Sequence, residues 1–410
     1  MRRYITQQAQ LVRALSGGIG KTAVIYPAAF LVSLAVGQLA LGLVLYAKVT
    51  FAASSIQVGL LAGIWSLTYL AGCLFVRPLF YRTLPRYLIM GSTALMGLLV
   101  LGMVAATAFI QLFWAYALFG LALALFWPSI MGWLSSDSEG ARLGRVISRY
   151  NLAWCSAAAF SPFLCGWLFE HRPTYPLILA AGLLLVACTL VAGASLALPR
   201  VRGDRGGTSP RPDEAARGPD RSSPLRFPAW LGLFGSFAGM GLLTAVFPLA
   251  ALDTWRLPET LIGLLFLARG LTNAVGFVLL GQVHGWHHRR LPMLLGQALG
   301  ILALGGLALG QSLPLLALAL ALYGFSMAMS YAGSLFHGAS GSLHRARRMA
   351  IHESMLAAGL VTGSALGGWI YQYAGRQIVF GAAAAFLAAC TLLQLALSRP
   401  TRHTTRPTNE

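Results

Sequence analysis

The sequence predicts an all-α membrane protein, with twelve transmembrane helices in two pseudo-symmetric six-helix bundles. Three observations carry this expectation. Apolar residues fill 57% of the 410 positions and charged residues only 10%. Ordinary soluble domains are about a quarter charged, so this chain could not cover a water-facing surface. The apolar residues fall in continuous blocks of about 20, enough to cross a hydrocarbon core of about 30 Å at about 1.5 Å per residue. The two halves of the chain also repeat one another.

The blocks lie at about 25–46, 56–76, 87–107, 112–134, 148–169, 175–198, 229–251, 260–281, 291–310, 314–336, 350–372 and 377–398. They are continuous rather than alternating, which excludes barrel strands. Residues 1–22 lack the apolar core of a signal peptide and read as a cytoplasmic segment. Residues 23–198 form the first bundle. Residues 199–228, rich in Pro, Gly, Arg and Asp, read as a disordered cytoplasmic linker. Residues 229–398 form the second bundle, and 399–410 a cytoplasmic tail.

A formal net charge of +19 raises a nucleic-acid hypothesis, but the placement of the charges rejects it. With both termini inside, all 30 Lys and Arg fall on the inside except Lys48, Arg172, Arg256, Arg376 and the mid-span Arg269. That asymmetry is the positive-inside bias of a multi-pass protein of the plasma (inner) membrane. The charge orients the chain and offers contact with anionic lipid. All five cysteines, Cys73, Cys155, Cys165, Cys188 and Cys390, lie inside spans, with no disulfide or ligand spacing.

The repeat rests on three matches at a near-constant offset. Gly59-Leu60-Leu61, Leu67-Thr68-Tyr69 and Gly72 match Gly263-Leu264-Leu265, Leu271-Thr272-Asn273 and Gly276. Gly166-Trp167 matches Gly368-Trp369, and Tyr26-Pro27-Ala28 matches Phe227-Pro228-Ala229. Parallel six-helix repeats are one transporter architecture.

Twelve spans, a long basic loop between spans six and seven, and this repeat resemble the major facilitator superfamily over residues 20–400. The family's loop between spans two and three reads Gly-x-Leu-x-Asp-Arg-x-Gly-Arg-Arg. Here Leu79, Arg82 and Arg86 remain, Tyr81 replaces the acid, and both glycines are absent. The antiporter motif of span five is reduced to Ser161-Pro162. The resemblance implies alternating access, with Arg82 and Arg86 at an inner gate whose acidic latch is built differently. Gly359, Gly363 and Gly367, with repeat equivalents Ala157, Ser161 and Cys165, form a small-residue stripe for close helix packing.

Arg269 is the sharpest chemical feature, about ten residues into span eight. A guanidinium near mid-bilayer costs about 2.5–3.5 kcal/mol even on insertion scales, so it should face a cavity or a partner. Asn273 follows one turn on. Their repeat equivalents are Trp65 and Tyr69, which suggests one cationic, hydrogen-bonding wall and one aromatic wall. Arg269 either binds an anionic group of a solute, since its fork matches carboxylate or phosphate, or is bonded structurally to helix carbonyls.

Glu353 follows His352 about one turn into span eleven. The pair either relays protons or Glu353 latches the inner gate against the loop of Arg82. Asn151, the repeat equivalent of Glu353 and a gating candidate with it, is either a hydrogen-bonded helix start or a solute contact. Gln38, Tyr323 and Tyr331 are cavity candidates because spans one, four, seven and ten line the path in the resembled family. Interhelical hydrogen bonding is the equal alternative for them and for Gln297. Trp127 completes the aromatic set.

Other signals are rejected. Gly17-Gly18-Ile19-Gly20-Lys21-Thr22 lacks the first P-loop glycine, and His352-Glu353 lacks the second His of a zinc helix. His284, His287 and His288 read as a solvated cluster. No enzyme, metal or cofactor is expected. The expected function is secondary transport of a small solute, such as an organic anion held by Arg269. Export of amphipathic compounds past Trp65, Tyr69 and Trp127, or a non-transporting sensor on the same fold, are the alternatives. The expected partners are the solute, the lipid bilayer and, left open, a coupling proton or ion; the protein is expected to be a monomer.

Overall fold

A computed structural model describes residues 20–75, 77–136, 140–199, 201, 223–283, 285–340 and 345–398. Residues 1–19, most of the linker (200 and 202–222), His284 and the tail 399–410 lie outside them, so the expectations for those segments concern residues not described.

The helices are α1 (Thr22–Phe51), α2 (Ser55–Phe75), a short α3 (Arg77–Arg82), α4 (Pro85–Val104), α5 (Phe109–Ser135), α6 (Gly140–His171), α7 (Tyr175–Ala197), α8 (Arg226–Asp253), α9 (Glu259–Gln282), α10 (Arg290–Leu309), α11 (Leu313–Ala339) and α12 (Arg345–Leu397). Among the described residues, eleven helices are long and apolar enough to cross a membrane, where the sequence predicts twelve. The difference lies in α12. Its 53 residues merge the last two expected spans, and Gly375, at φ 72° and ψ −173°, interrupts it. Such a φ favours glycine, which has no Cβ to clash. A straight helix of that length would run about 80 Å, well over twice the hydrocarbon thickness.

Two sets of helices flank residues 202–222. In the first, α1 packs on α6 and α7, and α5 on α2 and α4; in the second, α8 lies along α12, and α11 packs on α9 and α10. The sets meet chiefly where α2 packs on α12 and α6 on α9. Large exposed apolar side chains such as Leu74, Trp114, Leu302 and Leu392 point outward, which suits a surface bathed in lipid.

Backbone approach explains these seams. A Cβ at Gly359 or Gly363 would fall on the Phe234 or Ala238 carbonyl of α8, and one at Gly367 would press on Leu242. The stripe therefore lies against α8. Ser161 and Cys165 face α1 instead: Ser161 Oγ donates to the Leu34 carbonyl at 2.7 Å. Gly363→Val should destabilise the protein by about 3 kcal/mol, since a carbonyl cannot yield as a side chain can; chemical denaturation in detergent measures it.

The contacts recur between the sets. A Cβ at Gly120 would meet the Trp65 carbonyl and Thr68 Oγ1, and one at Gly324 would meet the Arg269 carbonyl and Thr272 Oγ1. Gly72 faces Ala124 as Gly276 faces Ala328. The same holds across the seams, where Gly59 abuts Ser364 and Gly368 while Gly263 abuts Pro162 and Phe163.

Candidate functional site

Helix periodicity gathers one face from each of eight helices around a central cavity of about 570 Å³. Residues three, four or seven apart share a helix face. Thus α2 contributes Ala62, Trp65 and Tyr69; α6 contributes Asn151, Trp154, Ala158 and Pro162; α12 contributes Glu353, Leu356 and Leu360. Phe266 and Arg269 come from α9, Met240 and Thr244 from α8, Trp127 and Met131 from α5, Tyr331 from α11, and Ser33 and Gly37 from α1. No residue of α4, α7 or α10 lines it.

One end of the cavity is clasped. Lys48 Nζ meets Asp253 Oδ2 at 3.1 Å, the Ser55 amide donates to Gln372 Oε1 at 2.9 Å, and the Thr260 amide donates to Glu170 Oε1 at 2.8 Å. All three join the two sets at the ends of α1, α2, α6, α8 and α9 remote from Asn151 and Glu353. Cβ atoms at Gly166 and Gly368 would fall there on the Glu259 and Ser55 carbonyls. At the other end Asn151 and Glu353 are both exposed, so the cavity opens on that side. Backbone contact dominates the clasp. The Lys48–Asp253 pair is 31% and 40% exposed, and such pairs contribute about 1 kcal/mol at most. Lys48→Met should therefore leave the melting temperature nearly unchanged.

Arg269 lies in the cavity wall. Its Nη1 is 3.0 Å from Met240 Sδ, and its Cζ lies 5.4 Å from the Phe266 ring centroid. Its Nε is buried without a hydrogen-bond partner among the described residues. A thioether is a weak acceptor and a ring a modest cation partner, so the guanidinium keeps donors for an anion. The facing aromatic surface is ordered by ring contacts: Trp65 lies 6.4 Å from Tyr116, and Trp127 stands edge-on to Tyr150 at 6.4 Å. Asn151 Oδ1 accepts from Trp154 Nε1 at 3.0 Å.

Of the sequence-selected residues, Arg269, Trp65, Tyr69, Trp127, Tyr331, Asn151 and Glu353 meet in this cavity. Asn273, Gln38, Tyr323 and His352 do not line it. Asn273 Nδ2 donates to the Gly324 carbonyl at 3.1 Å and ties α9 to α11, so the expected hydrogen-bonding wall reduces to Arg269. Gln38 Nε2 donates to the Ser161 carbonyl and Oγ at 2.9 and 3.0 Å. Tyr323 donates to the Ser236 carbonyl at 2.5 Å. For both, the interhelical alternative describes their place. Gln297 likewise donates to the Gly232 carbonyl and Ser330 Oγ. His352 is fully buried behind Tyr331, with Nδ1 at 2.8 Å from Ser334 Oγ.

Near the opening, Arg82 is exposed, and Arg86 donates to the Val201 carbonyl at 2.9 Å. Among the described residues, no ion pair joins Arg82 to Glu353. Among the described residues, no group of three or more His, Cys, Asp or Glu could hold a metal ion. Sequence reasoning missed Met240, Phe266 and Phe237, which differ in no sequence property from lipid-facing apolar residues.

Long apolar helices around a closed-ended cavity mark a multi-pass membrane protein, and the family match makes it a transporter rather than an enzyme. The chain belongs to the Major Facilitator Superfamily, which it matches over residues 25–335 and 229–410. Solved structures share its fold at low identity. The nucleoside transporter NupG superposes with a TM-score of 0.73 at 12% identity, over 93% of this chain and 100% of its own. A variant of the peptide transporter POT, solved in complex with sulfate, gives 0.73 at 13% identity, over 95% and 97%. No curated protein sequence matches the chain significantly.

Proposed function

We propose that this transporter carries a small organic anion by alternating access, with Arg269 as the anchor for the anionic group. The observation behind it is a guanidinium in the cavity wall that faces a thioether and a ring instead of a carboxylate. The arms of α12 on either side of Gly375 act as two crossings, which restores twelve spans in two bundles, 23–198 and 229–398. The recurrent glycine contacts support a pseudo-twofold relation between them. The charge bias assigns the clasped end to the outside and both termini to the cytoplasm, so the cavity faces inward here. Rocking that parts the clasped ends of the α2–α12 and α6–α9 seams would exchange the open end. Arg82, Arg86, Asn151 and Glu353 lie near the end that closes in the opposite state.

A thermal-shift panel on the purified protein tests this reading. A ligand at about 100 times its dissociation constant adds about 2.7 kcal/mol to the folded state. Aromatic carboxylates should raise the melting temperature of wild type and not of Arg269→Gln. The aromatic lining favours a second reading, export of amphipathic compounds. Stabilisation by neutral or cationic aromatics alone, unchanged in Arg269→Gln, would replace the first reading with that one.

A further inference from the structure

Among the described residues, two formally charged side chains line the cavity, and they have opposite signs: Arg269 and Glu353. Neither is paired, among the described residues, with the other or with a third charged group. Arg269 has the Met240 sulfur and the Phe266 ring, and Glu353 has no hydrogen bond or ion pair among the described residues. The chain carries 11 acidic residues in all, so a single carboxylate facing the transport cavity calls for an explanation. The two charges also occupy different levels. By helix rise, Arg269 is about 15 Å from the start of α9, and Glu353 about 33 Å from the turn at Gly375. Those two ends lie on the clasped side, so the Cα atoms stand roughly 18 Å apart along the helices, less the reach of both side chains. Between them the wall is aromatic, with Trp65, Tyr69 and Tyr331.

We propose that the solute is dipolar, with an anionic group on Arg269, a protonated amine toward Glu353, and an apolar or aromatic body between them. A charge held at the edge of a low-dielectric cavity gains most from a counter-charge delivered by the ligand. A solute carrying both charges satisfies both ends at once, whereas a simple anion leaves Glu353 facing apolar ligand surface. The inference rests on the reading of Arg269 as the anion anchor.

The test uses the full chain in detergent and three matched compounds: 4′-(aminomethyl)biphenyl-4-carboxylate, its N-acetyl derivative and its methyl ester. They are a zwitterion, a monoanion and a monocation on one rigid frame, and binding is read by tryptophan fluorescence. The zwitterion should bind wild type about tenfold more tightly than either derivative, the gain of one added charge contact. Glu353→Gln should remove that advantage by weakening the zwitterion and not the monoanion, and Glu353→Asp should restore part of it. Arg269→Gln should weaken zwitterion and monoanion alike. Equal affinity for zwitterion and monoanion in wild type, unaffected by Glu353→Gln, would overturn the dipolar solute and leave the anion anchor standing. Binding of all three compounds independent of Arg269 would overturn both. The wild-type comparison needs no variant to fold.

Discussion

Gly263→Leu is expected to stop transport while leaving the protein folded and soluble in detergent. Gly263 sits where α9 crosses α6, and a Cβ there would fall on the Pro162 carbonyl. The neighbouring backbone cannot rotate away, so closing this end would cost about 3 kcal/mol or more. The clash exists only when the two sets touch. It therefore acts on one conformation and not on the fold of either set. A penalty of about 3 kcal/mol lowers the population of the clasped state by about a hundredfold relative to the opposite one. Initial uptake rates in proteoliposomes should fall accordingly, with an unchanged elution volume in size exclusion. Gly166→Leu, which meets the Glu259 carbonyl across the same seam, should behave alike. Normal uptake by both variants would show that this seam does not close during the cycle.

Arg269→Met is expected to make the protein more stable and a much weaker binder of anions. Arginine at a helix centre costs about 2.5–3.5 kcal/mol on insertion scales, and here the compensation is one sulfur and one ring. The buried Nε has no hydrogen-bond partner among the described residues. Methionine fills similar space without the charge, so a gain of about 2 kcal/mol should follow, with anion affinity reduced about a hundredfold. Such opposed effects mark a group retained for function at the expense of stability. A structural arginine behaves in the opposite way. If it were part of the helix packing, its loss would lower the melting temperature and leave ligand shifts in place.

Much of this arrangement was legible in the sequence because a membrane span announces itself by length, and a repeat fixes which residues correspond. The match between the Leu67-Thr68-Tyr69 and Leu271-Thr272-Asn273 segments makes Trp65 the repeat equivalent of Arg269, and both line the cavity. What the pattern could not supply was the direction of a polar side chain within an apolar helix. Asn273 lies one turn beyond Arg269, yet Gly324 brings a carbonyl of α11 within reach and takes its amide. Gln38 and Tyr323 find backbone carbonyls in the same way. The apolar pattern marks the boundary between the last two spans only as a gap at 372–377. A single left-handed glycine makes the turn instead, so the helix runs on almost unbroken. Met240 and Phe266 carry no signal of their own; only the assembled faces show that they touch Arg269.

The most direct test of the central claim is solute counterflow in proteoliposomes preloaded with the carboxylate that gives the largest thermal shift. Wild type should accumulate the labelled compound transiently, Arg269→Lys should do so weakly, and Arg269→Gln should not. Equal accumulation by wild type and Arg269→Gln would contradict the assignment of Arg269 as the solute's anchor.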